Sequence, residues 1–327
     1  MSVVRGVGRS VVVRHLIRAV GELIAVSILA FAVTELAPGD AFGEARLERQ
    51  LSPAALASMR SRAGLDKPFL ARYVQWVGSV ARGDLGRSIT YGAPIAPLIA
   101  RRAMNSLLLV SASLAVTWTI VLPLGVWMAA RDRSADGRLL AAGATALIAV
   151  PDLLIAIALL VAAAASGVLP TGGLRGTDAV DAGALAMLRD RVHHLLLPVA
   201  ALTLIAAPPL ARHVRASMLD ALRAPYLLAA AARGIPYRRL LWRSALRAAA
   251  NPLVSLFGLS FAALFSASMI VEVVMSWPGL GPMLLDAVRA RDEQLILAGV
   301  MLSTVLLLVG NGCADILLHA VDPRITA

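Results

Sequence analysis

The chain has 327 residues, 59% of them hydrophobic, with a mean hydropathy of +0.77 and a formal net charge of +11. That apolar share, gathered into long uncharged blocks, excludes a water-soluble domain of this length, and the single cysteine, Cys313, excludes an intrachain disulfide. The positive charge lies between the blocks rather than on one face, so it reads as membrane topology and not as a nucleic-acid footprint.

In chain order, residues 1–18 carry Arg5, Arg9, Arg14 and Arg18 with no acid among them and form a cytoplasmic N-terminus. The first span is 19–37, read as an uncleaved anchor, because its loss would leave five spans and upset the alternation of loops. Residues 38–103 hold ten basic and five acidic residues and lie outside. They are not low-complexity. A start signal at Ser52-Pro53 and the spacing of Leu56, Met59 and Leu65 predict one short interfacial helix, and Tyr73, Trp76 and Val77 a second. Their aromatic residues suit the headgroup zone. Turns follow at Arg82-Gly83-Asp84 and Gly86.

The remaining spans are predicted at 104–130, 139–166, 193–211, 252–275 and 294–318. A helix needs about 20 residues to cross the hydrocarbon, and these blocks supply them. The fourth is the weakest, being short and containing Pro198, Pro208 and Pro209. Prolines within spans are compatible with a pathway and with simple packing kinks alike. The outside loops 167–192 and 276–293 are near neutral or slightly acidic. Arg131, Arg133 and Arg138 follow the second span, and residues 319–327 form a cytoplasmic C-terminus. This is the positive-inside pattern, with both termini in the cytoplasm of a cell bounded by this plasma membrane.

Residues 212–251, between the fourth and fifth spans, are unusual. They carry eight arginines and one acid, Asp220, in pieces of helical composition broken at Pro225 and Gly234. A re-entry turn needs only a handful of polar residues; this stretch is long enough to build a platform for a partner. Residues 226–233 form a short Ala-rich helix whose small side chains fit a cleft, and Gly234 ends it in the left-handed conformation. Beyond it, Arg239, Arg243 and Arg247 recur every four residues on a resumed helix. Like charges at that spacing repel, so an acidic partner surface or anionic lipid is implied.

Catalytic signatures are absent. There is no phosphate-cradling GxxxxGK[ST], no HExxH and no GxSxG, and the only lysine is Lys67. His193 and His194 are adjacent and do not share a helix face, so they make a poor metal pair; His15, His213 and His319 stand alone. Ionisable residues inside spans are the functional candidates. Asp152 and Glu272 are the pathway candidates, with structural pairing the alternative for Glu272 and for Asp315.

Seven fragments, in order, resemble one family. They are Pro38-Gly39-Asp40; Leu65-Asp66-Lys67-Pro68 with Tyr73 and Trp76; Gly83-Asp84-Leu85-Gly86-Arg87-Ser88; Tyr226 to Gly234; Arg243 to Ala248 with Pro252; Glu272 to Gly281 with Arg291-Asp292; and Asp322-Pro323-Arg324-Ile325. Together they resemble the B-type permease subunit of dipeptide/oligopeptide/nickel ABC importers. The resemblance implies an all-α integral membrane fold with six transmembrane helices, the type I ABC importer (MetI-like) permease architecture. It implies a translocation subunit rather than an enzyme, carrying peptides. The alternatives are nickel chelates or another small solute, or an ATPase-independent secondary transporter. The expected partners are a second, C-type permease subunit, two ABC ATPase subunits that bind ATP and Mg, and an extracytoplasmic binding protein; no cofactor, metal or nucleic acid is expected on this chain. The ATPase-coupling residues it implies are Tyr226, Ala229, Ala230, Arg233, Gly234, Arg239, Arg243 and Arg247. The chain departs from the family pattern at Leu228, where the loop's glutamate would fall, and at Met275, which replaces an aromatic residue.

Overall fold

The computed structural model describes residues 2–36, 68–174 and 183–321. The fragments at 38–40, 65–67 and 322–325, the helix expected after Ser52, and the side chains of Asp315 and His319 lie outside what is described. Every element among the described residues is a helix; the sole bridge pairs Arg87 with Pro94. In chain order these are α1 (Ser2–Leu36), α2 (Phe69–Ala81), α3 (Ile95–Ala130), α4 (Ala135–Ile148), α5 (Asp152–Ser166), α6 (Ala184–Leu222) and α7 (Pro225–Ala232). There follow α8 (Tyr237–Arg239), a π-helical turn (Leu240–Ala245), α9 (Leu246–Ala248), α10 (Ala250–Val274), α11 (Leu280–Arg289) and α12 (Glu293–Val321).

Five of these helices contain a stretch long and apolar enough to cross a membrane, within α1, α3, α6, α10 and α12. The third expected span is not one rod. It is the pair α4 and α5, bent by 101° at Ala149–Pro151. Pro151 drives the preceding residue out of helical geometry and caps α5 with ψ 138. Three other helices overrun their predicted spans: α1, with 35 residues, begins at Ser2 and runs through the stretch read as a separate N-terminus. α3, with 36 residues, is about 54 Å long and α6, with 39, about 58 Å, against about 30 Å of hydrocarbon. The first turns of α6, Ala184 to Arg191, therefore occupy a stretch that its Gly, Thr and Asp content marks as irregular.

The chain divides into two compact units. The first comprises residues 1–105 and 279–308. Within it α2 packs on α1 through Phe31, whose ring lies 5.2 Å from Phe69, 5.6 Å from Tyr73 and 6.2 Å from Trp76. Tyr73 and Trp76 thus turn inward, and the solvent- or lipid-facing side of α2 is instead Leu70, Val74 and Val77. Arg72, 12% exposed, donates to Glu35 at 2.5 Å and to both oxygens of Glu293 at 2.8 Å.

The second unit comprises residues 106–278 and 309–327. α6 is its spine, packed against α4, α5 and α10, with half of its apolar stretch buried. Pro198 and Pro208 lie buried inside it, where neighbouring helices shield the backbone groups that proline leaves unpaired. The Trp118 indole donates to Ser260 Oγ at 3.2 Å, and Thr117 Oγ1 donates to Thr203 Oγ1 at 3.3 Å.

Candidate coupling surface and buried carboxylates

Local chemistry explains why α7 is short and sharply bounded. Pro225 occupies its first position, where a missing N–H costs nothing. Its end is a Schellman motif: the Gly234 N–H donates to the Ala231 carbonyl at 3.0 Å and the Ile235 N–H to the Ala230 carbonyl at 3.4 Å. Gly234 has φ +82, as its expected left-handed role requires, and a Cβ added there would meet nothing within 4 Å. The requirement for glycine is purely one of backbone.

Leu227, 2% exposed, anchors α7 from within. It enters an apolar core with Val121, Val126 and Met128 of α3, Leu210, Val214 and Met218 of α6, Leu240 and Leu241 of the π-helical turn, and Leu253 of α10. On the outside, Tyr226 is 61% and Leu228 58% exposed, and Ala229, Arg233 and Gly234 are exposed as well. Ala230 is half-buried. The segment is a handle with one side clamped into three long helices and the other free. Sequence reasoning missed Leu227, because two adjacent leucines give no hint which one faces in.

Nearby, Arg215 of α6 pairs with Asp132 of the α3–α4 turn, and Arg131 pairs with Asp136 while its guanidinium lies 5.1 Å from the Trp127 ring centroid. Arg239, Arg243 and Arg247 are all exposed. The π-helical turn interrupts the regular helix expected there without dispersing them. Leu240, Leu241, Ala245 and Ala249 are buried on the same stretch, so it keeps a basic side and an apolar side.

The two pathway candidates are not brought together. Asp152, half-buried, opens α5; Glu272, fully buried, sits in the last turns of α10. The backbone around Gly172, beyond the far end of α5, approaches the Met275 carbonyl, where a Cβ would come within 3.2 Å. Asp152 is thus about 21 Å along α5 from the end that meets α10's C-terminus. The Glu272 carbonyl accepts the Trp277 N–H at 2.9 Å across a turn in which Ser276 has φ 51 and Met275 and Trp277 are each 1% exposed. Glu272 therefore belongs to a tight, closed corner of its unit.

A third carboxylate entered the sequence reading only as part of a family fragment, with no role assigned to it. Asp292, fully buried, caps α12 by accepting the Leu295 N–H at 3.3 Å through Oδ1. Its Oδ2 accepts the Ser88 hydroxyl at 2.6 Å and the Thr90 N–H at 3.0 Å. Ser88 Oγ in turn accepts the Tyr91 N–H, and Tyr91 donates its phenol to Asp286 at 2.9 Å. The turn that delivers Ser88 is set by Asp84, which accepts the Gly86 N–H at 2.9 Å, and by Gly86 at φ +78. Burial, followed by the hydrogen bond to Asp286, pushes the Tyr91 phenol above its ordinary value. Two fragments of the family pattern about 200 residues apart, Gly83 to Ser88 and Arg291-Asp292, are thus one structural device. Among the described residues no cluster of three metal-ligating side chains occurs, and His194 Nδ1 is engaged by the Asp190 carbonyl at 2.9 Å and its carboxylate at 3.2 Å.

Among the described residues every element is a helix, and five of the helices are apolar and long enough to cross a membrane, which defines an integral membrane protein. Residues 121–327 match the family described as the binding-protein-dependent transport system inner membrane component, and the chain belongs to that family. It is 33% identical over 316 residues to the oligopeptide transport system permease protein AppB of Bacillus subtilis, covering 96% of this chain and 98% of that protein. It is 31% identical over 325 residues to the oligopeptide permease OppB of Mycobacterium tuberculosis (95% and 97% covered), and 31% identical over 320 residues to the glutathione permease GsiC of Escherichia coli (96% and 98%). In fold it is similar to a chain of the inward-facing methionine ABC transporter MetNI, with a TM-score of 0.54 over 68% of this chain and 96% of that one, at 18% identity. The chain is an inner-membrane permease of ABC importer type, not an enzyme.

Proposed function

We propose that this chain forms half of a peptide translocation pathway and that α7 is the handle by which a cytosolic ATPase moves it. The carrying observation is the division of α7 into a buried anchor, Leu227, and an exposed face of Tyr226, Leu228, Ala229 and Arg233, ended by Gly234. A helix fixed to three long helices on one side transmits a push as a rigid lever. A second permease subunit completes the pathway, two ATPases bind ATP and Mg below it, and an external binding protein delivers solute. Both termini lie in the cytoplasm, a reading that the arginines of the short loops and the N-terminus support, with the long loop 38–103 as the exception. Peptides are favoured because AppB and OppB are named for oligopeptides. GsiC, similar to the same degree, widens the class to glutathione, itself a tripeptide.

The test starts from a Cys313→Ser background, with Ala229→Cys introduced on α7 and the partner subunits co-expressed. Thiol crosslinking joins this residue to an ATPase subunit from the cytosolic side, and ATP-dependent uptake of labelled peptides is abolished by the crosslink. Crosslinking from the external side, or uptake by the permeases without an ATPase, would overturn the reading. A panel of peptides, glutathione and nickel chelates supplied with the cognate binding protein identifies the solute.

A further inference from the structure

The segment joining α7 to α10 has a surface that the handle does not account for. Arg239, Arg243 and Arg247 are exposed at four-residue intervals, and no acidic side chain among the described residues pairs with any of them. Trp242, 45% exposed, lies among them. The opposite side of the same stretch, Leu240, Leu241, Ala245 and Ala249, is buried in its unit's core, so the basic side is held outward rather than free to fold away. The segment leads straight into α10, whose residues Ala250–Val274 are apolar enough to span.

Depth follows from the length of chain. Arg247 precedes Ala250 by three residues and Arg243 by seven, which puts them no more than about 5 Å and 11 Å from the start of the span. The headgroup layer is about 5–8 Å thick on each side of the hydrocarbon. Arg247 and Arg243 thus lie in or at the edge of that layer, and a long arginine side chain reaches back toward it from Arg239. Tryptophan is favoured at the same depth. Three unpaired guanidinium groups and an indole held at headgroup level match phosphate-bearing, negatively charged lipid.

We infer that Arg239, Arg243 and Arg247, with Trp242, form a binding surface for anionic phospholipid headgroups of the cytoplasmic leaflet, and that lipid rather than the ATPase is their partner. The inference rests on the cytoplasmic orientation proposed above but not on ATPase docking by α7. The surface tethers the base of α10 to the leaflet while α7, on the other side of Gly234, is left free for the motor.

The complete importer, assembled in nanodiscs of phosphatidylcholine with or without phosphatidylglycerol, tests this. Trp242 emission, taken as the difference between the native protein and a Trp242→Phe variant, is measured with brominated phosphatidylglycerol or brominated phosphatidylcholine at equal bromine content. The expected result is stronger quenching by the anionic lipid. That preference falls about tenfold or more in the triple variant Arg239→Gln/Arg243→Gln/Arg247→Gln, while the ATPase subunits still co-purify. Equal quenching by both lipids would overturn the inference. So would a triple variant that keeps its lipid preference but sheds the ATPase, since the arginines would then be a protein contact. Failure of the α7 crosslink with the lipid preference intact would sink the docking proposal alone.

Discussion

At Gly234 a single dihedral angle decides whether α7 ends where it does. The site has open space around it, so a substituted side chain meets no neighbour and pays only in backbone energy, about 1–2 kcal/mol for an ordinary residue in the left-handed region. Asparagine tolerates that region, and a β-branched residue does not. Peptide uptake at matched expression is therefore expected to fall in the order Gly, Asn, Ala, Val, and equal uptake by Gly234→Val would show that the Schellman end is not needed. Asp292 is the converse case, where a side chain and not the backbone is required. Asp292→Ala removes a helix cap and two hydrogen bonds to a buried carboxylate, for a loss of about 2–4 kcal/mol, visible as a lower thermal midpoint in detergent. Tyr91, two bonds further along the same chain of contacts, supplies a pH signature. Its phenol is held above the ordinary value of about 10, so the neutral form is favoured by folding. The stabilisation is complete below the unfolded pKa and is lost as pH rises through the folded one. Ultraviolet titration is expected to show one phenol ionising late, and Tyr91→Phe to remove that step.

Between elements, α3 approaches α6 closely at Gly125. A Cβ there would lie 2.5 Å from Val214 Cβ and Cγ1, and Val214 is fully buried with a stiff, branched side chain. Gly143 of α4, by contrast, has nothing within 4 Å. Gly125→Ala is thus expected to lower stability by about 1–3 kcal/mol, and Gly143→Ala to be neutral or to raise it by up to about 1 kcal/mol. Thermal unfolding of the two variants side by side checks both the crossing and the register of α3. Much at this scale was legible in the sequence, because hydrophobic block length reports directly on spans and glycine reports directly on helix ends. The 101° bend between α4 and α5 was not: Pro151 marks a break, but its angle is set by packing of both pieces on α6. Nor was the inward turn of Tyr73 and Trp76, since an amphipathic helix at a membrane has two possible hosts for its aromatic residues, and Phe31 lies in another helix. The inward turn of Leu227 and the capping role of Asp292 escaped for a related reason. Each is defined by partners in distant parts of the chain, which local periodicity cannot see.

For the molecule as a whole, the division into two units makes a prediction about how damage spreads. Each unit has its own stabilising centre: the Arg72 ion cluster and the Phe31 aromatic group in the first, and the apolar core that holds Leu227 in the second. Arg72→Gln leaves the exposed Glu35 and the half-buried Glu293 carboxylates facing each other without a cation, at a cost of about 1–2 kcal/mol. Leu227→Ala opens a cavity under α7, at about 2–5 kcal/mol. Units with separate cores open separately, so these losses appear as local rather than global unfolding. Amide hydrogen exchange on the importer in nanodiscs is expected to rise in 69–94 and at the start of α12 for Arg72→Gln, with 225–249 unchanged. For Leu227→Ala it rises in 225–249 and leaves 69–94 as it was. Uptake separates the two as well if α7 has its proposed role: Leu227→Ala is then expected to loosen the lever and lose transport while substrate-independent ATP hydrolysis continues. If instead each variant raised exchange in both regions, the two units would be one cooperative body. The handle could then not be loosened without disturbing the helices that carry solute.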